Sequence, residues 1–178
     1  MRIHAHQTNE DGCGANAVPV SRSIKQLFSY GDKMKTVEDE IQQMVDRETH
    51  AWDTQDAEAL VAIFHPDMVW PWPRDEHAHN PMDWVFPLGR YDRDRWKAGW
   101  QELFDTHMLV HNHRNTIKIV VSTQGDGAFA VADVDTLWWN KKTGQDFHWK
   151  GRACKGYTKV GGEWKLIMHT GLLNYDHV

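Results

Sequence analysis

The sequence predicts an α+β domain, with helices in its first part and an antiparallel sheet in its second part. Three observations support this prediction. Apolar residues recur at helical spacing from Thr36 onward, four strand-like runs follow one another between residues 111 and 173, and Gly-containing turns separate those runs. Helices followed by a meander of strands are typical of α+β folds, in which the helices pack on the sheet.

The length and composition of the chain favour a single globular domain. It has 178 residues, 40% hydrophobic and 25% charged, with ten tryptophans. A chain of this length can bury a sizeable core. Residues 1–33 are rich in Gly, Asn and Ser and predict a flexible N-terminal arm, which leaves residues 34–178 as the domain. The tryptophans predict either a thick aromatic core or a cavity for a flat apolar ligand.

The same composition argues against several classes of function. A net charge of −5 without a basic run argues against nucleic-acid binding. No run of about 18 apolar residues is present, so no membrane span is predicted, and the N-terminus lacks the apolar core of a signal peptide. The two cysteines, Cys13 and Cys154, make no disulfide framework. We therefore expect a cytoplasmic protein.

The first helix begins after Thr36, a residue suited to capping a helix N-terminus. Glu48 lies on the apolar stripe of this helix, either inside the protein or at a boundary that reaches solvent. Asp56 caps a second helix, Ala57–Phe64, and Pro66 is expected to end it.

A long loop and a third helix precede the sheet. Residues 71–91 are rich in Pro and Trp, and connections of this length are often functional lids. Trp70 and Trp72 share a face of a short first strand and form either a pocket wall or core. Asp92 opens the third helix. Four strands then follow: His111–Thr123, Ala128–Asn140, Asp146–Val160 and Glu163–Leu173.

Three stretches of the sequence resemble motifs of the SnoaL-like branch of the NTF2-like superfamily. They are the helix-to-strand opening from Ala51 to Trp70, the third-helix segment Pro87–Trp96 and the last-strand motif Gly162–Ile167. The resemblance implies an NTF2-like, or cystatin-like, cone in which N-terminal helices pack on a curved antiparallel sheet around a pocket. It also implies a homodimer packed through the outer face of the sheet. Members of this superfamily isomerise, dehydrate, cyclise or hydrolyse small molecules, or only bind partners.

The meander also resembles the association domain of calcium/calmodulin-dependent protein kinase II, which is itself NTF2-like. Lys155 matches a basic pocket residue of that domain, Asp135 reverses the charge of a second one, and His113 matches a histidine. Many family members end with a His-x-His pair in the last strand. Those positions hold Met168 and Thr170 here, with His169 between them.

Two aspartates on the second meander strand are candidate catalytic residues. Asp133 and Asp135 are two positions apart and share a face. If they face the pocket, their repulsion should raise one pKa and leave a proton donor beside a base. The alternative places them on the solvent or dimer face, with Val134 and Thr136 inward. The apolar residues on the aspartates' face favour the pocket: Val131, Leu137 and Trp139.

The next strand carries Lys155 and Tyr157 on one face, and the resemblance to the kinase domain places that face against the aspartates. We therefore predict a cofactor-free acid–base enzyme, an isomerase, dehydratase or cyclase, acting on a small apolar or aromatic molecule. Asp135 is the predicted base and Asp133 or Tyr157 the acid, while Lys155 or His113 stabilises an oxyanion. The predicted pocket lining is Trp70, Trp139, Trp149 and His169.

Two alternative functions stay open at this point. One is a non-catalytic binding or assembly domain, as the kinase-domain resemblance implies. The other is a metal-dependent enzyme, because three His-x-His pairs could hold a divalent ion together with a carboxylate. The pairs are His4/His6, His77/His79 beside Glu76, and His111/His113. No metal site is assigned, since nothing in the sequence fixes the ligand geometry.

Overall fold

The computed structural model describes residues 35–74 and 81–173 of the chain, which form three α-helices and five strands. The predicted arm, His4/His6, Glu76 and His77/His79 therefore lie outside the described residues. The helices are α1 (Val37–Asp53), α2 (Ala57–Ala62) and α3 (Arg93–Thr106). The strands are β1 (Phe64–Val69), β2 (His107–Val121), β3 (Gly127–Asn140), β4 (Asp146–Val160) and β5 (Glu163–His169). The α+β prediction is confirmed.

Each helix begins at the residue that the sequence indicates. Thr36 accepts a hydrogen bond from the Asp39 amide at 3.1 Å, and the Asp39 carboxylate accepts one in return from the Thr36 amide. Asp56 and Asp92 cap α2 and α3 by accepting from the amides of Ala59 and Arg95, each at 2.9 Å. These side chains satisfy amides at the helix starts that have no partner within the helix. Within the described residues, every helix is too short or too polar to be a candidate membrane span.

Several boundaries differ from the sequence prediction: for example, β2 begins at His107 rather than His111, and β5 ends at His169 rather than Leu173. Helix α2 ends at Ala62, and Pro66 lies inside β1 rather than ending the helix. Strand β1 is at the edge of the sheet, where a residue without an amide hydrogen is tolerated. Strand β1 also ends before Trp70, so that Trp70 and Trp72 follow the strand instead of lying in it.

The strands form one curved sheet in the order β1-β5-β4-β3-β2. Neighbours from β2 to β5 are antiparallel, as expected for a meander, and β1 joins β5 in parallel. Helix α1 lies against β2 and β5, so that the helices cover one face of the sheet. We call the helix-covered face the inner face and the opposite face the outer face.

Aromatic rings fill the space between the helices and the inner face. Trp52 of α1 is at the centre and is 1% exposed. Five rings surround it edge-on, with centroid distances from 5.1 to 6.4 Å: Trp70, Trp100, Phe104, Trp138 and Trp149. Edge-to-face packing of this kind adds to the stabilisation from burial alone. Many of the tryptophans therefore build one continuous aromatic interior.

Candidate functional site

A buried carboxylate lies at the centre of the inner face. Glu48 is 0% exposed, and the side chains of Lys155 and Arg114 bond to its two oxygens. Lys155 Nζ donates to Oε2 at 2.6 Å, and an Arg114 guanidinium nitrogen donates to Oε1 at 2.9 Å. The indole of Trp52, one helical turn along α1, donates to Oε1 at 3.3 Å. Three elements, α1, β2 and β4, therefore meet at this one side chain.

The charges of this cluster determine its ionisation. Burial alone would raise the pKa of the Glu48 carboxyl, but Lys155, Arg114 and His169 together hold it well below its usual range. Burial lowers the pKa of Lys155 and of Arg114, and Glu48 opposes that effect on both. Two basic side chains therefore face a single carboxylate in this cluster.

His169 lies beside this cluster with the lone pair of one ring nitrogen unprotonated. Its Nδ1 is 2.5 Å from the Thr170 carbonyl oxygen, which can only accept, so Nδ1 carries the hydrogen. Its Nε2, which faces Glu48 Oε1 at 3.7 Å, therefore holds a lone pair. The ring stacks on Trp70 at a centroid distance of 4.0 Å. Burial lowers the pKa of His169 to about 3, with Glu48 opposing and Lys155 reinforcing the shift.

Five buried polar atoms in this interior have no hydrogen-bond partner among the described residues. They are the indole nitrogens of Trp70, Trp100, Trp138 and Trp149 and the hydroxyl of Tyr157. Burial raises the pKa of Tyr157 well above its usual value, with Glu48 adding to the effect, so the phenol keeps its proton. Unpaired buried donors are rare and cost about 1–3 kcal/mol each. All five can donate to an acceptor that the described residues do not supply.

The structure brings five of the predicted site residues to the inner side of the molecule. Lys155 and Tyr157 lie on the inner face of β4, and Trp149 lies on the same face nearer the start of the strand. Trp70 and His169 stack on each other beside them. These residues therefore lie on the inner side, while their predicted pocket lining and chemical roles stay predictions.

The other predicted residues lie on the outer face, so their predicted positions in the pocket are wrong. Val134 and Thr136 of β3 are buried and point to the inner face. Because side chains alternate along a strand, Asp133 and Asp135 point to the outer face. His113 pairs with Asp135 across the strands and is exposed, and Trp139 is 37% exposed. The predicted pairing of Asp135 with Lys155 is therefore wrong, because the two residues lie on opposite faces of the sheet.

The predicted pKa behaviour of the aspartates is wrong as well. Asp133 accepts two hydrogen bonds from Arg152, at 2.7 and 3.2 Å, which lower its pKa. His148 and His111 hydrogen-bond to one oxygen of Asp135 and lower its pKa to about 2. Each carboxylate has its own polar partners, so mutual repulsion raises neither pKa.

Two residues of the interior cluster were not assigned a role from the sequence. Glu48 was visible as a carboxylate on an apolar stripe, and that position was the available signal. Arg114 gave no signal of its own, because its neighbours His113 and Asn115 are polar and point outward. The Arg114 side chain points to the inner face because Arg114 pairs with Val134, which faces inward on β3. This pairing is not visible in the sequence.

The chain belongs to the SnoaL-like domain family, whose sequence model matches residues 35–168. Solved structures share the fold. A ketosteroid isomerase-like protein from Erwinia carotovora atroseptica is 17% identical with a TM-score of 0.58, over 76% of this chain and 95% of that one. A candidate scytalone dehydratase from Novosphingobium aromaticivorans is 17% identical with a TM-score of 0.54, over 74% and 79%.

A third structure represents the assembly class within the same fold. It is a candidate calcium/calmodulin-dependent protein kinase type II association domain from Thiobacillus denitrificans. It is 14% identical with a TM-score of 0.50, over 75% of this chain and 94% of that one. No curated protein matches the chain significantly. At these identities the structures establish the NTF2-like, cystatin-like fold, as the sequence predicts.

Proposed function

We propose that the interior of this protein binds a small aromatic or apolar molecule that carries an anionic or enolisable oxygen, and that it catalyses a cofactor-free proton transfer on that molecule. The carrying observation is the buried cluster in which two basic side chains, Arg114 and Lys155, face the single Glu48 carboxylate, beside the Nε2 of His169. The aromatic side chains of the interior suit contacts with a flat ligand, and the unpaired indole and phenol donors suit ligand oxygens.

In this proposal His169 replaces the aspartates as the general base. Its Nε2 takes a proton from a carbon next to a carbonyl group. The developing oxyanion gains a hydrogen bond from Tyr157 or charge stabilisation from Lys155. Glu48 holds the two cations in place and keeps them charged. When His169 returns this proton to a different carbon, the product is an isomer. When His169 gives the proton to a neighbouring hydroxyl group instead, that group leaves as water and the reaction is a dehydration.

The test uses 2-tetralone, a bicyclic aromatic ketone with acidic C–H bonds beside its carbonyl. Binding is measured first, by quenching of the tryptophan fluorescence, and hydrogen exchange into the bound ketone is then followed by NMR in D₂O. We expect exchange faster than in buffer, but by less than the about 10²–10⁴-fold of a positioned base whose pKa is near the working pH, because the pKa of His169 is about 3. His169→Gln should abolish this acceleration while leaving binding within a fewfold.

Lys155→Met and Lys150→Met form a matched pair for the oxyanion role. Both lysines are on β4, but Lys155 is buried on the inner face and Lys150 is exposed. Only Lys155→Met should slow the exchange. Bound ketone without accelerated exchange would contradict the catalytic proposal and favour a binding domain. Equal exchange in wild type and His169→Gln would contradict the role of His169.

A further inference from the structure

The outer face of the sheet carries a group of three metal-ligand side chains, separate from the interior cluster. Across the sheet, His111 of β2 and His148 of β4 both pair with Leu137 of β3, one on each side. Asp135 lies two residues earlier on β3 and points to the same face. Both imidazole rings therefore lean from the Leu137 row toward the Asp135 carboxylate.

The three side chains converge on one point. His111 Nε2 lies 2.8 Å and His148 Nε2 lies 2.7 Å from the same atom, Asp135 Oδ1. The three ligand atoms lie within 4.8 Å of one another. Ligands of a tetrahedral zinc ion, with bonds of about 2.1 Å, are separated by roughly 3.4 Å. Small rotations of these side chains therefore suffice to admit an ion between them.

We propose that His111, Asp135 and His148 form a binding site for a divalent transition-metal ion such as Zn²⁺. Two imidazoles and one carboxylate are a ligand set that suits zinc, nickel or copper better than calcium or magnesium, which prefer oxygen ligands. Three protein ligands leave at least one coordination position for water or an exogenous ligand.

The sheet positions the site before any ion arrives. Each ligand comes from a different strand of three consecutive hydrogen-bonded strands, so the backbone spacing is fixed by the ladder. His113 stacks on His111 with a centroid distance of 4.8 Å and an angle of 13°, which supports the orientation of the His111 ring. Arg152 donates a hydrogen bond to the Asp133 carboxylate, so Asp135 is the carboxylate that the two histidines contact.

In a single copy of the chain, ions can reach this site from solvent. The side chains of His111, Asp135 and His148 are between 29% and 44% exposed. Asp135 also lines an open depression of about 580 Å³ on the outer face. Lys150 and Arg152 line the same depression, so an anion bound there would lie near the open coordination position of the metal.

The test is a calorimetric titration of the full, tag-free chain with Zn²⁺ after removal of bound metal by a chelator. The variants His148→Gln and Asp135→Asn remove ligands. His50→Gln is the matched control, because His50 is an exposed histidine on α1. We expect one site per chain in wild type and in His50→Gln, and an affinity at least about 100-fold weaker in each ligand variant.

Comparison of the variants with wild type separates this site from zinc bound by other histidines of the chain. Circular dichroism checks that each variant is folded. Should a variant fail to fold, the visible spectrum of wild-type protein loaded with Co²⁺ provides a second readout. Intense bands of a four-coordinate ion with histidine nitrogens would support the proposal. Unchanged Zn²⁺ binding in the folded ligand variants, an octahedral water-like Co²⁺ spectrum, or no binding to wild type would overturn it.

Discussion

His169 titrates differently in the folded and the unfolded chain, because burial lowers its pKa from 6.5 to about 3. Between these values the unfolded chain binds a proton that the folded chain does not. The stability contributed by neutral His169 is therefore complete above pH 6.5 and is lost as the pH falls toward 3. Glu48 has a lowered pKa too, so its contribution is present above 4.5 and is lost only at lower pH.

Between pH 6.5 and 4.5, His169 is thus the group of this cluster whose titration changes the free energy of unfolding. We expect the free energy of unfolding to fall by about 2–3 kcal/mol across these two pH units, at about 1.4 kcal/mol each. Urea unfolding at several pH values measures this. His169→Gln should reduce the slope by that amount, whereas exposed His50→Gln should keep it. If the pH dependence of the free energy of unfolding were the same in His169→Gln as in wild type, His169 of the folded wild type would be able to take up a proton in this pH range.

The elements of the fold are joined by the Glu48 carboxylate, which links α1 to β2 through Arg114 and to β4 through Lys155. Glu48→Gln leaves two buried cations without their anion, and breaking a buried pair in this way costs about 3–5 kcal/mol. Urea unfolding at pH 7 should show a loss of this size. Glu58→Gln is the matched control, since Glu58 pairs with Arg93 and Lys97 at the surface and such pairs contribute about 1 kcal/mol or less.

A double variant separates the charge effect from the packing effect. Glu48→Leu with Lys155→Met removes one anion and one cation, and apolar groups of similar volume replace them. Such replacements of buried pairs are often neutral or stabilising. We expect the double variant to be more stable than Glu48→Gln. A double variant as unstable as the sum of its single variants would mean that the two side chains do not interact.

The directions of side chains within the strands were harder to predict than the strands themselves. Strand β3 carries apolar residues on both faces: Leu137 and Trp139 point outward, and Trp138 is buried on the inner face. The inner face also holds small residues such as Ala130 and Ala132, so side-chain size does not mark the buried face. Size and hydrophobicity therefore indicated the wrong face, and Asp133 was placed inside.

An irregularity between β4 and β5 explains the position of His169. Gly156 pairs with Met168, but Tyr157 pairs with Leu166, so one extra residue lies in β5. This bulge shifts the alternation by one position and turns His169 inward. The family pattern expects histidines at Met168 and Thr170. Regular alternation cannot reveal this change, because a bulge depends on pairing between strands that are distant from their local sequence.

At the scale of the whole molecule, the fold could be predicted because its signals are local. The capping residues Thr36, Asp56 and Asp92 each act within a few residues, and Gly-containing turns separate the strands. The candidate site could be predicted only in part. Glu48 meets Lys155 across 107 positions of the chain, a contact that depends on how α1 crosses the sheet.

The outer face bears on how many copies of the chain assemble. Two apolar cross-strand pairs are exposed there: Val120 with Phe129, and Met108 with Trp139. The polar rows containing Asp133 and Asp135 lie between these pairs. A second copy of the chain packed on this face would cover all four apolar side chains, so we propose a homodimer, and stable interfaces of this kind bury about 1,200–2,000 Å².

Light scattering on the purified chain measures its mass, and we expect a dimer. Phe129→Glu places a charge in the proposed interface and should give a monomer. Phe86→Glu is the matched control, because Phe86 is exposed to a similar extent, 57% against 55%, but lies outside the sheet. A monomeric wild type, or a Phe129→Glu variant that stays dimeric, would contradict the interface. A larger ring would favour the assembly-domain alternative, because a dimer through one sheet face closes on itself.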